Sequence, residues 1–115
     1  MEWIERHLRP RQLFEHFACV VCAGGELRGK PDPAVYLEAC AQIGVAPSRA
    51  VALEDSPNGV AAAKFAGLTC FAVPCSMTAS LDFTRADLVV GSLDDLDPHD
   101  YLRSRKTEGH DATDA

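Results

Sequence analysis

Lys30 stands between Gly29 and Pro31, and the pair Glu54-Asp55 closes the apolar run "AVAL" further along the chain. An ammonium can neutralise phosphate oxygens. Neighbouring carboxylates offer the hard oxygen ligands that magnesium takes together with water and substrate phosphate. The segment "SPNG" (residues 56–59) then opens a helix, whose first N–H groups and positive dipole end favour an anion. A lysine, a carboxylate pair and a helix start around one point form a phosphoryl-transfer environment, where positioning and charge neutralisation do most of the work. Each feature alone has a plainer reading. A lysine near a turn is more often solvated than functional, and an Asp before Ser-Pro is often only a helix-start residue. The functional reading wins only if the fold brings all of them to one rim.

The elements around them predict that it does. "ACVVCA" (residues 18–23) is a short apolar, β-branched run, read as a strand, with Gly24-Gly25 turning the chain after it. Residues 33–43 read as a helix: Asp32 caps it, Pro33 suits its first position, and Val35, Tyr36, Ala39, Cys40 and Ile43 share one apolar face. Gly44 stops it. "AVAL" (residues 50–53) is too apolar for a strand with one face in water, so burial on both faces is expected. The same devices recur around the next helix, with Ser56 as cap, Pro57 in the first turn, small Ala residues facing a sheet and Gly67 as stop. "TCFAV" (69–73) and "DLVV" (87–90) are further strands. "WIERHLR" near the start reads as an amphipathic helix broken by Pro10, and "LDDLDPHDYLR" as a closing helix. Residues 104–115 lose the apolar pattern and are expected to form a disordered polar tail after a domain of residues 1–103.

Strand and helix in alternation imply right-handed crossovers and a doubly wound, Rossmann-like α/β domain with a parallel sheet between helical layers. Chemistry in such sheets gathers beyond the carboxyl ends of the strands. Lys30 follows the first strand's turn and Glu54-Asp55 ends the next strand, so both fall on that rim.

Composition narrows the function. The 115 residues suffice for one small domain, and 47% hydrophobic with 24% charged residues is ordinary for a globular protein. A net charge of −6 disfavours nucleic-acid binding, which runs on clustered Lys and Arg. No apolar run is long enough to span a bilayer, and the start "MEWIERHLRPRQ" lacks the apolar centre of a secretory signal. Five irregularly spaced cysteines, four of them in or beside strand-like runs, read as small core thiols of a reducing compartment, with the cytoplasm as default. Cys19-x-x-Cys22 is half a zinc site without a matching second pair, and the metal reading is rejected.

The strings "GKPDP" and "LEDSPNGVAAAKFAGL" resemble the third and fourth motifs of the haloacid-dehalogenase-like hydrolases, in the branch of phosphoglycolate phosphatases and β-phosphoglucomutase-like proteins. "LFEHFACVVCAGGELRGKPDP" is similar to the helix and third strand that lead into the lysine motif there, and "ADLVVGSLDDL" resembles that branch's closing strand and helix. The likeness covers roughly nine-tenths of the chain. It implies a magnesium-dependent phosphatase or phosphomutase acting on a small phosphorylated metabolite. Lys30 would steady the phosphoryl group and the nucleophile, and Asp55 would bind Mg2+. Glu54 would be a second acidic ligand or an outer-shell partner, while Ser56 and Asn58 would shape the loop.

The resemblance also implies parts that this sequence does not show. The family's nucleophile is the first Asp of an Asp-x-Asp-Gly motif, which attacks phosphorus to form an aspartyl-phosphate. That motif, the phosphate-binding Ser or Thr ending the second strand, and the substrate-selecting cap all precede the lysine motif. Asp95-Leu96-Asp97 is no substitute, because Pro98 follows it and no buried strand precedes it. The expectation is therefore a core lacking its first two strands and cap, with an N-terminal half lost to a misplaced start codon or frameshift. In the alternative, the chain is a non-catalytic remnant, or half of a split protein whose partner chain carries the missing motifs. A receiver-type signalling domain ranks lower, since no early acidic pair is present. Two absent strands would leave their neighbours roughly 14 Å apart at about 4.8 Å per spacing. The sheet would then re-pair, or the chain would be marginal and prone to associate.

Overall fold

Two helices start and stop by the same local devices, and between them they place the rim. Helix α2 (Ala34–Ile43) begins where the Asp32 carboxylate accepts the Ala34 N–H at 2.9 Å, and it ends at Gly44 in the left-handed region (φ 71°). Helix α3 (Pro57–Ala66) begins at Ser56, whose hydroxyl accepts the Gly59 N–H at 3.1 Å, and ends at Gly67 (φ 95°). A side chain other than glycine would be strained at both stops.

The computed structural model describes residues 1–109. Before α2 come helix α1 (Glu2–Leu8) and a 3₁₀ turn at Phe14–His16. Strand β1 (Val51–Glu54) precedes α3, and β2 (Thr69–Ala72), β3 (Leu88–Val89), a 3₁₀ turn at Leu93–Asp95 and helix α4 (Pro98–Gly109) follow it. The strands form one parallel sheet in the order β1-β2-β3, with Val51 opposite Thr69 and Phe71 opposite Leu88. This is the expected α/β architecture. The core lies between the sheet and helices α2 and α3, where Cys40, Ala52, Val60, Ala63, Ala66, Leu68, Cys70 and Ala72 are buried together. The Ala residues of α3 let its backbone lie close to the sheet. Phe71, fully buried, points to the opposite face, where the Tyr101 ring of α4 meets it edge-on with centroids 4.9 Å apart.

Four expectations need correction. The run at 18–23 forms no strand; its flank carries only an isolated antiparallel bridge between Gly24 and Leu27. A strand exists through its neighbour's hydrogen bonds, and among the described residues none lies beside this run. The remaining sheet keeps its parallel order and does not re-pair. Second, β1 is not buried on both faces: Ala52 and Glu54 are buried, whereas Val51 is 36% and Leu53 52% exposed. Helices α2 and α3 cover the first pair, while α4 sits over β2 on the other face. Third, only Cys40 and Cys70 are buried; Cys22 and Cys75 are exposed, each lying outside the strands. Fourth, α4 runs through residues 104–109, past the expected start of the tail. Helix extension is cheap once a turn is nucleated, and Asp97 nucleates it by accepting the His99 and Asp100 N–H groups. Asp97 is thus a helix cap. The rest of the expected tail, 110–115, lies outside the described residues.

Candidate functional site

The strand alternation of β1 decides how the acidic pair is used. Glu54 shares a face with Ala52 and turns inward under α2 and α3, with only 6% of its side chain exposed. Asp55, one residue on, is past the last ladder position and stays exposed. Two adjacent carboxylates therefore have opposite environments.

A buried carboxylate needs donors, and Glu54 has two. Lys30 Nζ donates to Oε2 at 2.5 Å, and the Tyr36 hydroxyl donates to the same oxygen. The ammonium also lies 5.2 Å from the centre of the Tyr36 ring, within cation–π range. The other carboxylate oxygen rests against Gly59: a Cβ there would come within 1.7 Å of Glu54 Oε1. Glycine at this point lets the first turn of α3 close over the carboxylate. Burial first, and then the Glu54 hydrogen bond and charge, push the Tyr36 phenol above its ordinary pKa. Burial, followed by the Glu54 charge, pushes the Cys70 thiol up to about 11, so it stays protonated as a core residue.

Lys30 keeps 41% of its side chain exposed and reaches the site from the loop before α2, through a cis Lys30–Pro31 peptide. Lys30, Glu54 and Asp55 line one cleft of about 410 Å³, completed by Leu53, Val73 and Leu93. The structure thus brings the lysine and both carboxylates together at the carboxyl end of β1. Ser56 is engaged as the cap of α3. Asn58 is exposed and lines a different recess of about 330 Å³ with Pro31, Phe65 and Arg85, so it is not among the residues lining the lysine cleft.

The donor set fits magnesium in a limited way. Among the described residues no hydrogen bond or ion pair holds the Asp55 carboxylate, and the residue is exposed and lines the cleft. Glu54 is already taken by Lys30 and Tyr36. Nor do three His, Cys, Asp or Glu side chains gather in any metal-sized group among the described residues. One protein carboxylate with water and phosphate completing the shell is a coordination that magnesium accepts.

Tyr36 and Gly59 are neighbours of Glu54 that the motifs do not single out. In the sequence pattern Tyr36 belongs to the apolar face of a helix. Yet a tyrosine there must find a partner for its hydroxyl, and a carboxylate buried at the strand end must find donors. Those two needs answer each other.

The profile of the haloacid dehalogenase-like hydrolase family matches residues 1–67. Hexitol phosphatase B of Escherichia coli strain K12 is 35% identical over 103 residues, which make up 89% of this chain and 46% of that protein. Among solved structures, CbbY of Rhodobacter sphaeroides in complex with xylulose-(1,5)bisphosphate aligns with a TM-score of 0.62 at 41% identity, over 75% of this chain and 37% of that one. β-Phosphoglucomutase of Clostridium difficile, 23% identical, shares the fold with a TM-score of 0.73 over 90% of this chain and 44% of its own. The chain spans less than half the length of the curated relatives it matches.

Proposed function

Because the chain belongs to the haloacid dehalogenase-like hydrolases, we propose that the Lys30–Glu54–Asp55 rim is one side of a phosphoryl-transfer centre acting on a small phosphorylated metabolite. The observation that carries this reading is the common cleft: a half-exposed ammonium and an uncommitted carboxylate line it together, with a buried carboxylate behind them. Lys30 neutralises oxygens of the bound phosphoryl group, where charge accumulates in the transition state. Glu54 orients Lys30 and would be an outer partner of the metal, because its Oε2 already holds two donors and its Oε1 lies against Gly59. Asp55 would hold magnesium, which when bound offsets phosphate charge and orients the phosphoryl group. Ser56 fixes the first turn of α3 beside the cleft, and Asn58 shapes its outer side.

Attack on phosphorus needs an aspartate carboxylate. Its oxygen bonds to phosphorus as the ester P–O bond breaks, and water later releases phosphate from the aspartyl-phosphate. The family resemblance assigns that role to the first Asp of Asp-x-Asp-Gly, a string these 115 residues do not contain, and in this reading a segment carrying that motif supplies the nucleophile. A partner chain bearing such a segment is the second reading, and the exposed Val51 and Leu53 on β1 favour it, since they leave apolar surface for a neighbour. Among the described residues no helix is long and apolar enough to cross a membrane. All five cysteines are free, which supports a reducing, cytoplasmic setting.

The test is complementation. The chain alone should not hydrolyse p-nitrophenyl phosphate; mixed with a polypeptide carrying the Asp-x-Asp-Gly half, it should do so in magnesium. Lys30→Ala should remove the restored activity. Turnover by the chain alone, or restored activity indifferent to Lys30, would contradict the proposal.

A further inference from the structure

We propose that Tyr36 is a positioning residue of the cleft, whose hydroxyl fixes Glu54 and through it the phosphate-binding ammonium of Lys30. This inference rests on the reading of Lys30 as a phosphate-holding group and adds a residue that the motifs do not point to. Three observations carry it. The hydroxyl and Lys30 Nζ donate to the same oxygen, Glu54 Oε2. The Tyr36 ring lies beneath Nζ at 5.2 Å. Tyr36 itself is held in helix α2 and packs on the buried core, so its hydroxyl is presented from a fixed element.

The geometry divides the work. An ammonium has three N–H donors and Glu54 Oε2 takes one of them. The tyrosine supplies a second donor to that oxygen, so Oε2 of the buried carboxylate does not depend on the ammonium alone, and two of the ammonium's three N–H donors are left for the cleft. Without the hydroxyl, Glu54 would hold a buried charge with one donor and Gly59 against its other oxygen. It would turn toward water and draw Lys30 out of line. The ring alone cannot prevent this, because its attraction for the cation has no directional hold on the carboxylate.

A double-mutant cycle on the full chain tests the claim, with inorganic phosphate as probe and binding followed by ³¹P NMR. Tyr36→Phe keeps the ring and should weaken phosphate binding about tenfold, the effect of losing one hydrogen bond to a charged group. In a Lys30→Ala background the same substitution should have no further effect, since the hydroxyl acts only through the ammonium. Tyr101→Phe, which touches a tyrosine on the other sheet face, should leave phosphate binding unchanged. A merely structural tyrosine would give additive losses in the double variant, and that result overturns the proposal. So does a Tyr36→Phe chain that binds phosphate like the parent while Lys30→Ala weakens binding. If Lys30→Ala itself leaves binding unchanged, the reading of the cleft falls and the proposal falls with it. Should Tyr36→Phe fail to fold, Glu54→Gln keeps the carboxylate's shape without its charge. It must then weaken phosphate binding through Lys30 alone; unchanged binding in that variant also overturns the claim.

Discussion

Residues 18–23 and 50–53 carry nearly the same message, "ACVVCA" and "AVAL", yet only the second lies in a sheet. The second is followed by a capped helix of small residues that returns the chain to a parallel neighbour, β2, and the pairing of Val51 with Thr69 and Glu54 with Ala72 fixes its register. The first leads into a glycine turn and has no strand beside it among the described residues. The difference also separates their packing: α3 buries six of its residues, whereas α1 buries none and holds its shape through exposed pairs such as Arg6–Glu2. Apolar, β-branched sequence makes a segment available to a sheet, and the crossover decides whether it joins one.

That contrast can be broken at its strongest point by truncating Phe71. The ring is fully buried against Tyr101, so Phe71→Ala should destabilise the chain by about 3–5 kcal/mol. Trp3→Ala, at a ring that is 67% exposed and stacked on His7, should cost about 0.5 kcal/mol or less. Urea unfolding of both variants makes the comparison; similar losses would show that the amino-terminal region shares the core's stability.

Gly59→Ala sharpens it within the packed region. The added methyl must displace the Glu54 carboxylate or push α3 from the sheet, at a cost of about 1–3 kcal/mol. Because the displaced group holds Lys30, the variant should also lose phosphate affinity. A stable Gly59→Ala chain with unaltered affinity would mean that α3 does not close over Glu54 as described.

Much of this arrangement was legible in the sequence. Asp32 and Gly44 bounded α2, Ser56 and Gly67 bounded α3, and the strand ending at Glu54 put Glu54-Asp55 on the rim; Lys30 reaches the same rim although the strand expected before it does not form. These features are local: a cap, a stop and a turn act within a few residues, so the chain shows them directly. What stayed hidden depended on partners distant in sequence. The 18–23 run failed as a strand for want of a neighbour, and Leu53 stayed exposed because α4 covers β2 instead. The resemblance put Asp55 first as a ligand and left Glu54 between second ligand and outer-shell partner; the face of β1 that α2 covers is what buries Glu54 against Lys30 and leaves Asp55 exposed.

A smaller effect concerns the outer strand. Asp87 accepts from Lys64 at 2.7 Å and from the Cys70 N–H at 2.8 Å, tying α3 and β2 to the approach of β3. Burial by itself would raise its pKa, but the Lys64 ammonium and the Cys70 N–H outweigh it and hold the carboxyl below its usual 3.8. A depressed folded value means the stabilisation is complete above the unfolded value and fades as pH falls through the folded one. Thermal melts from pH 5 downward should show the parent losing stability below about pH 4, with Asp87→Asn less stable at pH 5 and less sensitive to acid. Identical acid sensitivity in the two chains would remove Asp87 from this role.

The central claim is that Asp55 and Lys30 form one place for a cation beside a phosphate. Paramagnetic Mn2+, a stand-in for magnesium, tests it through line broadening in the amide NMR spectrum of the full chain. The expected result is early broadening at Asp55, Ser56 and the Lys30 loop, strengthened by inorganic phosphate and lost in Asp55→Asn. Broadening that begins instead at the acidic stretch of residues 94–97, with Asp55 untouched, would contradict it.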